Sequence, residues 1–291
     1  MSTTTTSLIS LEKIILPTDF TPSSDRALKY AKSLAKQFSA HLTVAHVCKP
    51  PERVAIPEGG WFEDPRERRR AEEMTEALAG ELRAEGFKAE GVCAVGSVEN
   101  TVASLAESRH ADLLVAGTHG RVGFSRFVYG SRAESIARQV ETPMLFVGPC
   151  VSELGKEAWT IKHVVCGISI RREAAPVAAY AYRFAATAGA SLFVYYLDDA
   201  RAPARSDERR AVTVEVRRYL EENGRTGLFH DFAYLHDHPA EELVKLAAKS
   251  RTDLIVLEAE SHLLNLSRLH RDMVACVVTG ATCPVLVMPS R

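Results

Sequence analysis

The sequence predicts an α/β protein made of two tandem doubly wound domains, each a five-stranded parallel sheet. Three observations predict it. The chain repeats itself once. In both repeats, short β-branched apolar runs alternate with amphipathic stretches at helical spacing. Those apolar runs lack the alternation of a strand with one wet face, which implies a parallel sheet covered by helices on both sides.

The repeat is read from matched segments. HADLLVAG (110–117) resembles RTDLIVLE (251–258), and ETPMLFVGP (141–149) resembles ATCPVLVMP (281–289). Asp112 thus maps onto Asp253 and Pro143 onto Pro284, both 141 residues on. Near the front of each half KIILPT (13–18) matches HVVCGI (163–168) and LTVAHV (42–47) matches LFVYYL (192–197), both 150 residues on. Between them Tyr30, Ala31 and Leu34 map onto Tyr180, Ala181 and Phe184. The first half therefore carries nine extra residues between its second and fourth strands, and the proline- and glycine-rich run KPPERVAIPEGGWFEDP (49–65) is the natural place for them.

In the first half the strands are expected at 13–18, 42–47, 88–95, 112–117 and 143–148, and the helices at 23–38, 64–86, 98–109 and 131–140. The polar stretch VSELGKEAW (151–159) reads as a linker, which sets the domains at 10–149 and 160–290. The arginine-rich run PRERRRAEEM (65–74) reads as a solvated helix face, with a docking surface as the alternative.

Composition narrows the class. With 36 basic and 37 acidic residues the formal net charge is -1, so bulk charge supplies no reason to bind nucleic acid or a membrane surface. MSTTTTSLIS lacks a basic n-region and a long apolar core, and no apolar run approaches the ~20 residues that span a bilayer. A cytoplasmic protein is the expectation. Six cysteines stand without CxxC or His-paired spacing, which predicts reduced, structural thiols and no zinc site.

In such sheets ligands bind beyond the carboxyl ends of the strands. After the strand DLLVA come Gly117-Thr-His-Gly120, nine residues, then Gly130-Ser131 opening the helix SRAESIARQV. Glycines let a backbone approach phosphate closely, and helix-start amides favour an anion. Ser131 can cap its helix or donate to a phosphate oxygen, and Arg121, Arg126 and Arg132 add positive charge. In PTD (17–19), Asp19 ends the first strand, where a carboxylate can accept from a ribose hydroxyl or an adenine amino group. Each residue also has a plainer use: glycines punctuate turns, Ser131 caps a helix, and Asp19 starts one. The combination, each part at its place in a parallel fold, favours nucleotide binding.

These residues resemble the nucleotide-binding members of the universal stress protein family, whose motif is G-x-x-G, nine residues, then G-S or G-T, with an Asp on the first strand. Gly117, Gly120, Gly130, Ser131 and Asp19 all match, and the resemblance spans the whole chain as two family domains in series. It implies a Rossmann-like, adenine nucleotide alpha hydrolase-like fold and ATP in the first half. By matching position, the Val47 backbone would contact adenine, and Pro17, Thr18, Ala116, His119, Arg132 and Ala133 would line the pocket. Mg2+ or Mn2+ would accompany the triphosphate, held mainly by phosphate and water. His119 reads as a hydrogen-bond donor rather than a catalyst.

The second half departs from the motif throughout: Asp19, Gly117, Gly120, Gly130 and Ser131 correspond to Ser169, Glu258, Ser261, Arg271 and Asp272. Glu258 and Asp272 would repel a polyphosphate. The resemblance further implies that Pro143–Gly148 and Pro284–Met288, the last strands, pair the two halves as an intramolecular pseudo-dimer. A homodimer of tandems is compatible with this, though no residue points to it. The leading expectation is an ATP-binding regulatory protein of the stress response with an unidentified protein partner. The alternatives are a slow ATPase or phosphoryl-transfer enzyme, and an interaction module whose nucleotide is incidental. There is no GxxxxGK[ST] pattern and no evident water-activating carboxylate, so catalysis ranks second.

Overall fold

The computed structural model describes residues 8–48, 54–56, 60–62, 65–118, 133, 136–137, 139–155, 158–169, 174–197, 205–223, 229–235, 238–258 and 271–289. At 54–56, 60–62, 65, 174, 219–223, 229–232 and 271–272 the description covers the backbone path. In the first half β1 (Lys13–Pro17), α1 (Pro22–Phe38) and β2 (His41–Cys48) are followed by a hairpin of β3 (Val54–Ile56) and β4 (Gly60–Phe62). Then come α2 (Pro65–Ala84), β5 (Lys88–Val95), α3 (Val98–Ser108), β6 (Leu113–Gly117) and β7 (Met144–Val147). The second half repeats the plan with β8 (His163–Ser169), α4 (Ala174–Ala188), β9 (Ser191–Leu197), α5 (Ser206–Asn223) and β10 (Phe229–Leu235). It ends with α6 (Pro239–Lys249), β11 (Leu254–Glu258), α7 (Arg271–Gly280) and β12 (Val285–Met288). Of the predicted helix at 131–140, residues 133, 136 and 137 are helical, while 139, in a turn, and 140 already lie beyond it.

Ten strands form one sheet in the order β10-β9-β8-β11-β12-β7-β6-β1-β2-β5. Within each half every pair is parallel, and the first strand lies between the second and the fourth, so each half winds outward both ways. The halves meet where β7 and β12 run antiparallel, Met144 opposite Val287, Leu145 opposite Leu286 and Phe146 opposite Val285. Helices cover both faces. One apolar layer joins Leu16, Tyr30 and Leu34 to Tyr182, Phe184 and Tyr196; the other joins Leu114 and Phe146 to Leu243, Leu257 and Val277. Each layer is thus shared by the two halves.

The nine-residue insertion is located by its neighbours. Displacement between the halves is 150 at the second strand (His41 to Ser191) and already 141 at the next helix (Pro65 to Ser206), so the extra chain precedes α2. It contains the antiparallel β3–β4 pair, whose three-residue strands are too short to register as periodicity.

One pair of repeated residues has a structural use. Asp112 Oδ2 accepts from the amides of Glu12 and Lys13 at 2.8 and 2.9 Å, and Asp253 Oδ2 accepts from those of Lys162 and His163 at 2.7 and 2.9 Å. Each carboxylate thereby clamps the start of its half's first strand to the start of the fourth.

The polar linker is more than a spacer. Val151 is buried, the Tyr30 hydroxyl donates to Ser152 O at 2.9 Å, and the Trp159 amide donates to Ser33 Oγ at 3.0 Å. The Trp159 ring meets Tyr30 edge-on, 5.0 Å between centroids. Two apolar residues, Val151 and Trp159, anchor a stretch whose polar composition concealed them. Burial pushes the Tyr30 phenol up to about 12, with Cys283 and Arg26 acting in opposite senses beside it. The arginines at 66–70 are exposed, and Arg68 pairs with Glu72 at 2.8 Å.

Candidate functional site

In each half the first and fourth strands pair side by side, and in parallel sheets of this kind a ligand crevice lies beyond their carboxyl ends. In the first half β1 closes this crevice on one side. The Thr18 amide donates to Ala45 O at 2.8 Å, so the chain follows β2 one residue beyond β1. It then turns through Phe20, whose φ of 57° is left-handed, a conformation that costs a bulky residue about 1–3 kcal/mol. Local contacts hold it. The Phe20 amide donates to Thr18 Oγ1 at 3.1 Å, its ring lies 5.0 Å from that of His46, and His46 Nδ1 donates to Thr18 O at 2.8 Å. Asp19 is exposed at the rim, and its Oδ1 accepts from the Thr21 amide and hydroxyl at 3.3 and 2.6 Å. Starting α1 is therefore one use of this carboxylate, as its sequence context allowed.

On the other side β6 ends at Gly117. A Cβ there would lie 2.1 Å from Ser23 O and 2.5 Å from Ser23 C, so the first turn of α1 rests directly on the strand end. Only glycine permits this approach. Next in the chain, the Thr118 amide donates to Val147 O at 3.0 Å, while its buried hydroxyl has no partner among the described residues. Such a buried donor-acceptor is costly unless something satisfies it, and a phosphate or hydroxyl ligand at this strand end can do so. Ala116 and Ala133 are both buried in one apolar cluster, and Val47 packs against the same cluster from the end of β2.

Pro17, Thr18, Asp19, Val47, Ala116, Gly117 and Ala133 therefore come from three neighbouring strand ends and the helix that follows β6. His119, Gly120, Gly130, Ser131 and Arg132 lie outside the described residues, as do Arg121 and Arg126. Thr118 sits inside the glycine motif and was legible there. Among the described residues no group of three His, Cys, Asp or Glu side chains could hold a metal ion.

The matching strand ends of the second half are packed differently. Gly167 stands where Pro17 does, and a Cβ on it would lie 2.8 Å from Leu257, 3.1 Å from Leu197 and 3.2 Å from Leu243. These leucines replace Ala116, Val47 and Val102, and all three are buried. The three larger aliphatic groups thus pack over a glycine, where the first half has a proline among smaller residues. Glu258 stands at the end of β11; burial first, and then this carboxylate, push the Cys166 thiol up. Ser261 lies outside the described residues, and at Arg271 and Asp272 the helix backbone alone is described.

Comparison with known proteins decides the family. The family model described as "Universal stress protein family" matches residues 10–148 and 160–289. The chain belongs to the universal stress protein family. A universal stress protein of Methanocaldococcus jannaschii is 32% identical over 145 residues, 47% of this chain and 81% of that relative. The crystal structure of a universal stress protein from Archaeoglobus fulgidus covers 96% of this chain and 97% of its own at a TM-score of 0.73 and 16% identity, a likeness of fold. A universal stress protein solved in complex with cAMP is 25% identical over 47% of this chain and 97% of its own, with a TM-score of 0.35. Among the described residues of this universal stress protein, no helix is long and apolar enough to cross a membrane.

Proposed function

We propose that this protein binds one ATP per chain, in the first half, and that occupancy biases the conformation a regulatory partner sees. The observation that carries the reading is the contrast between the two fourth-strand ends: in the first half Gly117 seats α1 and the buried Thr118 hydroxyl beside it has no partner among the described residues, whereas in the second half the carboxylate-bearing Glu258 stands in the place of Gly117. Asp19 would take the ribose or adenine edge. Gly117, His119, Gly120, Gly130, Ser131 and Arg132 would hold the phosphates, and Mg2+ would be carried by the triphosphate and water. The binding unit is residues 10–149. Residues 160–290 form the scaffold half, and the antiparallel β7–β12 pair supports reading the two as a pseudo-dimer within one chain in the cytoplasm.

Isothermal titration of the purified full-length protein with ATP, ADP, AMP and cAMP tests this. The expected result is a stoichiometry of one for ATP, abolished by Gly130→Arg and retained by Arg271→Ala. Binding that survives Gly130→Arg, or that needs the second half's residues, overturns the assignment. Product analysis over hours with Mg2+ addresses the phosphoryl-transfer alternative: no ADP above the Gly130→Arg background is expected.

A further inference from the structure

Six cysteines are spread through the chain, and the fold brings two of them into contact. Cys48 closes β2 and Cys93 lies near the end of β5, 45 residues on, yet their sulfur atoms stand 3.5 Å apart. The register explains it. His46 is opposite Cys93 and Cys48 opposite Val95, so the two thiols lie diagonally on one face of adjacent parallel strands. That face is covered by α2, which is seated by Gly91: a Cβ there would lie 2.9 Å from Thr75 O. Two turns nearer the helix start, the Arg68 guanidinium acts on both sulfurs, and Glu72, paired to Arg68 at 2.8 Å, acts on Cys93. Both thiols are part-exposed, and all six cysteines are free in this structure.

We propose that Cys48 and Cys93 form a peroxide-responsive dithiol that closes to an intrachain disulfide and weakens ligand binding at the adjoining ends of β1 and β2. The chemistry balances with a hydroperoxide as oxidant. The Cys48 thiolate attacks the peroxide oxygen, giving a sulfenic acid and, with one proton, water. The Cys93 thiol then attacks Cys48 Sγ, its own proton passing to the departing hydroxyl, which leaves as a second water, so two thiols lose two electrons to one peroxide. Burial, followed by the hydrogen bond to Cys48, pushes the Cys93 thiol up to about 12, so it does not make the first attack, and it reaches the sulfenic acid through its contact with Cys48.

Closure carries a mechanical consequence. A disulfide holds its sulfurs at about 2.05 Å, so the present 3.5 Å separation must shrink and the end of β2 must be drawn along β5. Cys48 adjoins Val47, and β2 lies between β5 and β1, so the pull takes Val47 away from Thr18 and Asp19. This consequence rests on the nucleotide reading; the dithiol itself does not.

The full-length protein, treated with a small excess of hydrogen peroxide, alkylated and digested, should yield a peptide linking Cys48 to Cys93 and lose two of its six free thiols, both recovered with a reductant. In Cys93→Ser the linked peptide should vanish and dimedone should trap a sulfenic acid at Cys48; Cys93→Ala is the second variant should the serine fold poorly. ATP affinity of the oxidised wild type should fall about tenfold or more, the scale of an ångström-level displacement, and the Cys48→Ser/Cys93→Ser double variant should ignore peroxide. The proposal is overturned if Cys48 and Cys93 stay alkylatable while exposed Cys150 oxidises, or if the linked peptide forms with ATP affinity unchanged. Absence of ATP binding by the reduced protein refutes the nucleotide reading instead, and with it the regulatory half of this proposal, while the linked peptide still decides the dithiol.

Discussion

At Gly117 the first turn of α1 and the end of β6 approach so closely that a methyl group would stand 2.1 Å from the Ser23 carbonyl oxygen. Gly117→Ala must move one element or the other and should cost about 1–3 kcal/mol of stability by urea titration. A loss of ATP binding in that variant would therefore mix folding with recognition, and Gly130→Arg is the cleaner control. In the second half Leu257→Ala removes part of the aliphatic fill. It should cost about 2–5 kcal/mol and create no second ATP site by calorimetry, because Glu258 remains. A titration giving two equivalents of ATP for that variant would show that the leucines alone had closed the crevice.

Single elements are registered by polar contacts at the starts of strands. Asp112 and Asp253 each receive two backbone amides at the start of a first strand. Asp112→Asn and Asp253→Asn should each cost about 1–3 kcal/mol, and because the clamps share no partner the double variant should lose the sum. At the start of β2, burial first, then the positive charges of Arg109, Lys88 and Lys13, hold the His41 imidazole below its ordinary value. The folded protein therefore resists protonating this group while the unfolded chain accepts a proton. Its contribution is complete above about pH 6.5 and is lost as pH falls from there through the folded value. Urea midpoints measured at about pH 7 and pH 5.5 should differ more in the wild type than in His41→Gln.

The molecule as a whole is one sheet with two apolar layers, each assembled from both halves. Unfolding should accordingly be one cooperative transition, with far-UV and near-UV circular dichroism changing together. Phe146, fully buried at the β7–β12 seam, should cost about 3–5 kcal/mol when changed to Ala and should lower the single transition without splitting it. If the proposed site in the first half holds ATP, ATP at a hundred times its dissociation constant should raise the whole transition by about 2.7 kcal/mol. Two separated transitions, with ATP moving only one, would contradict the shared core.

What the sequence by itself determined is local or repeated. Apolar runs and helical spacing marked the principal strands and helices, the change of offset from 150 to 141 located the insertion, and the strand DLLVAG marked its own end at Gly117. Contacts between residues three or four apart, and a comparison of the chain with itself, are enough for these. Only the tertiary structure decided that Val151 and Trp159 dock the linker and that Gly117 serves the seat of α1. It likewise decided that three leucines pack over Gly167 and that Cys48 touches Cys93. Each of these depends on strand register and helix seating, which bring together residues distant in the chain and leave no period or spacing for a linear reading to find.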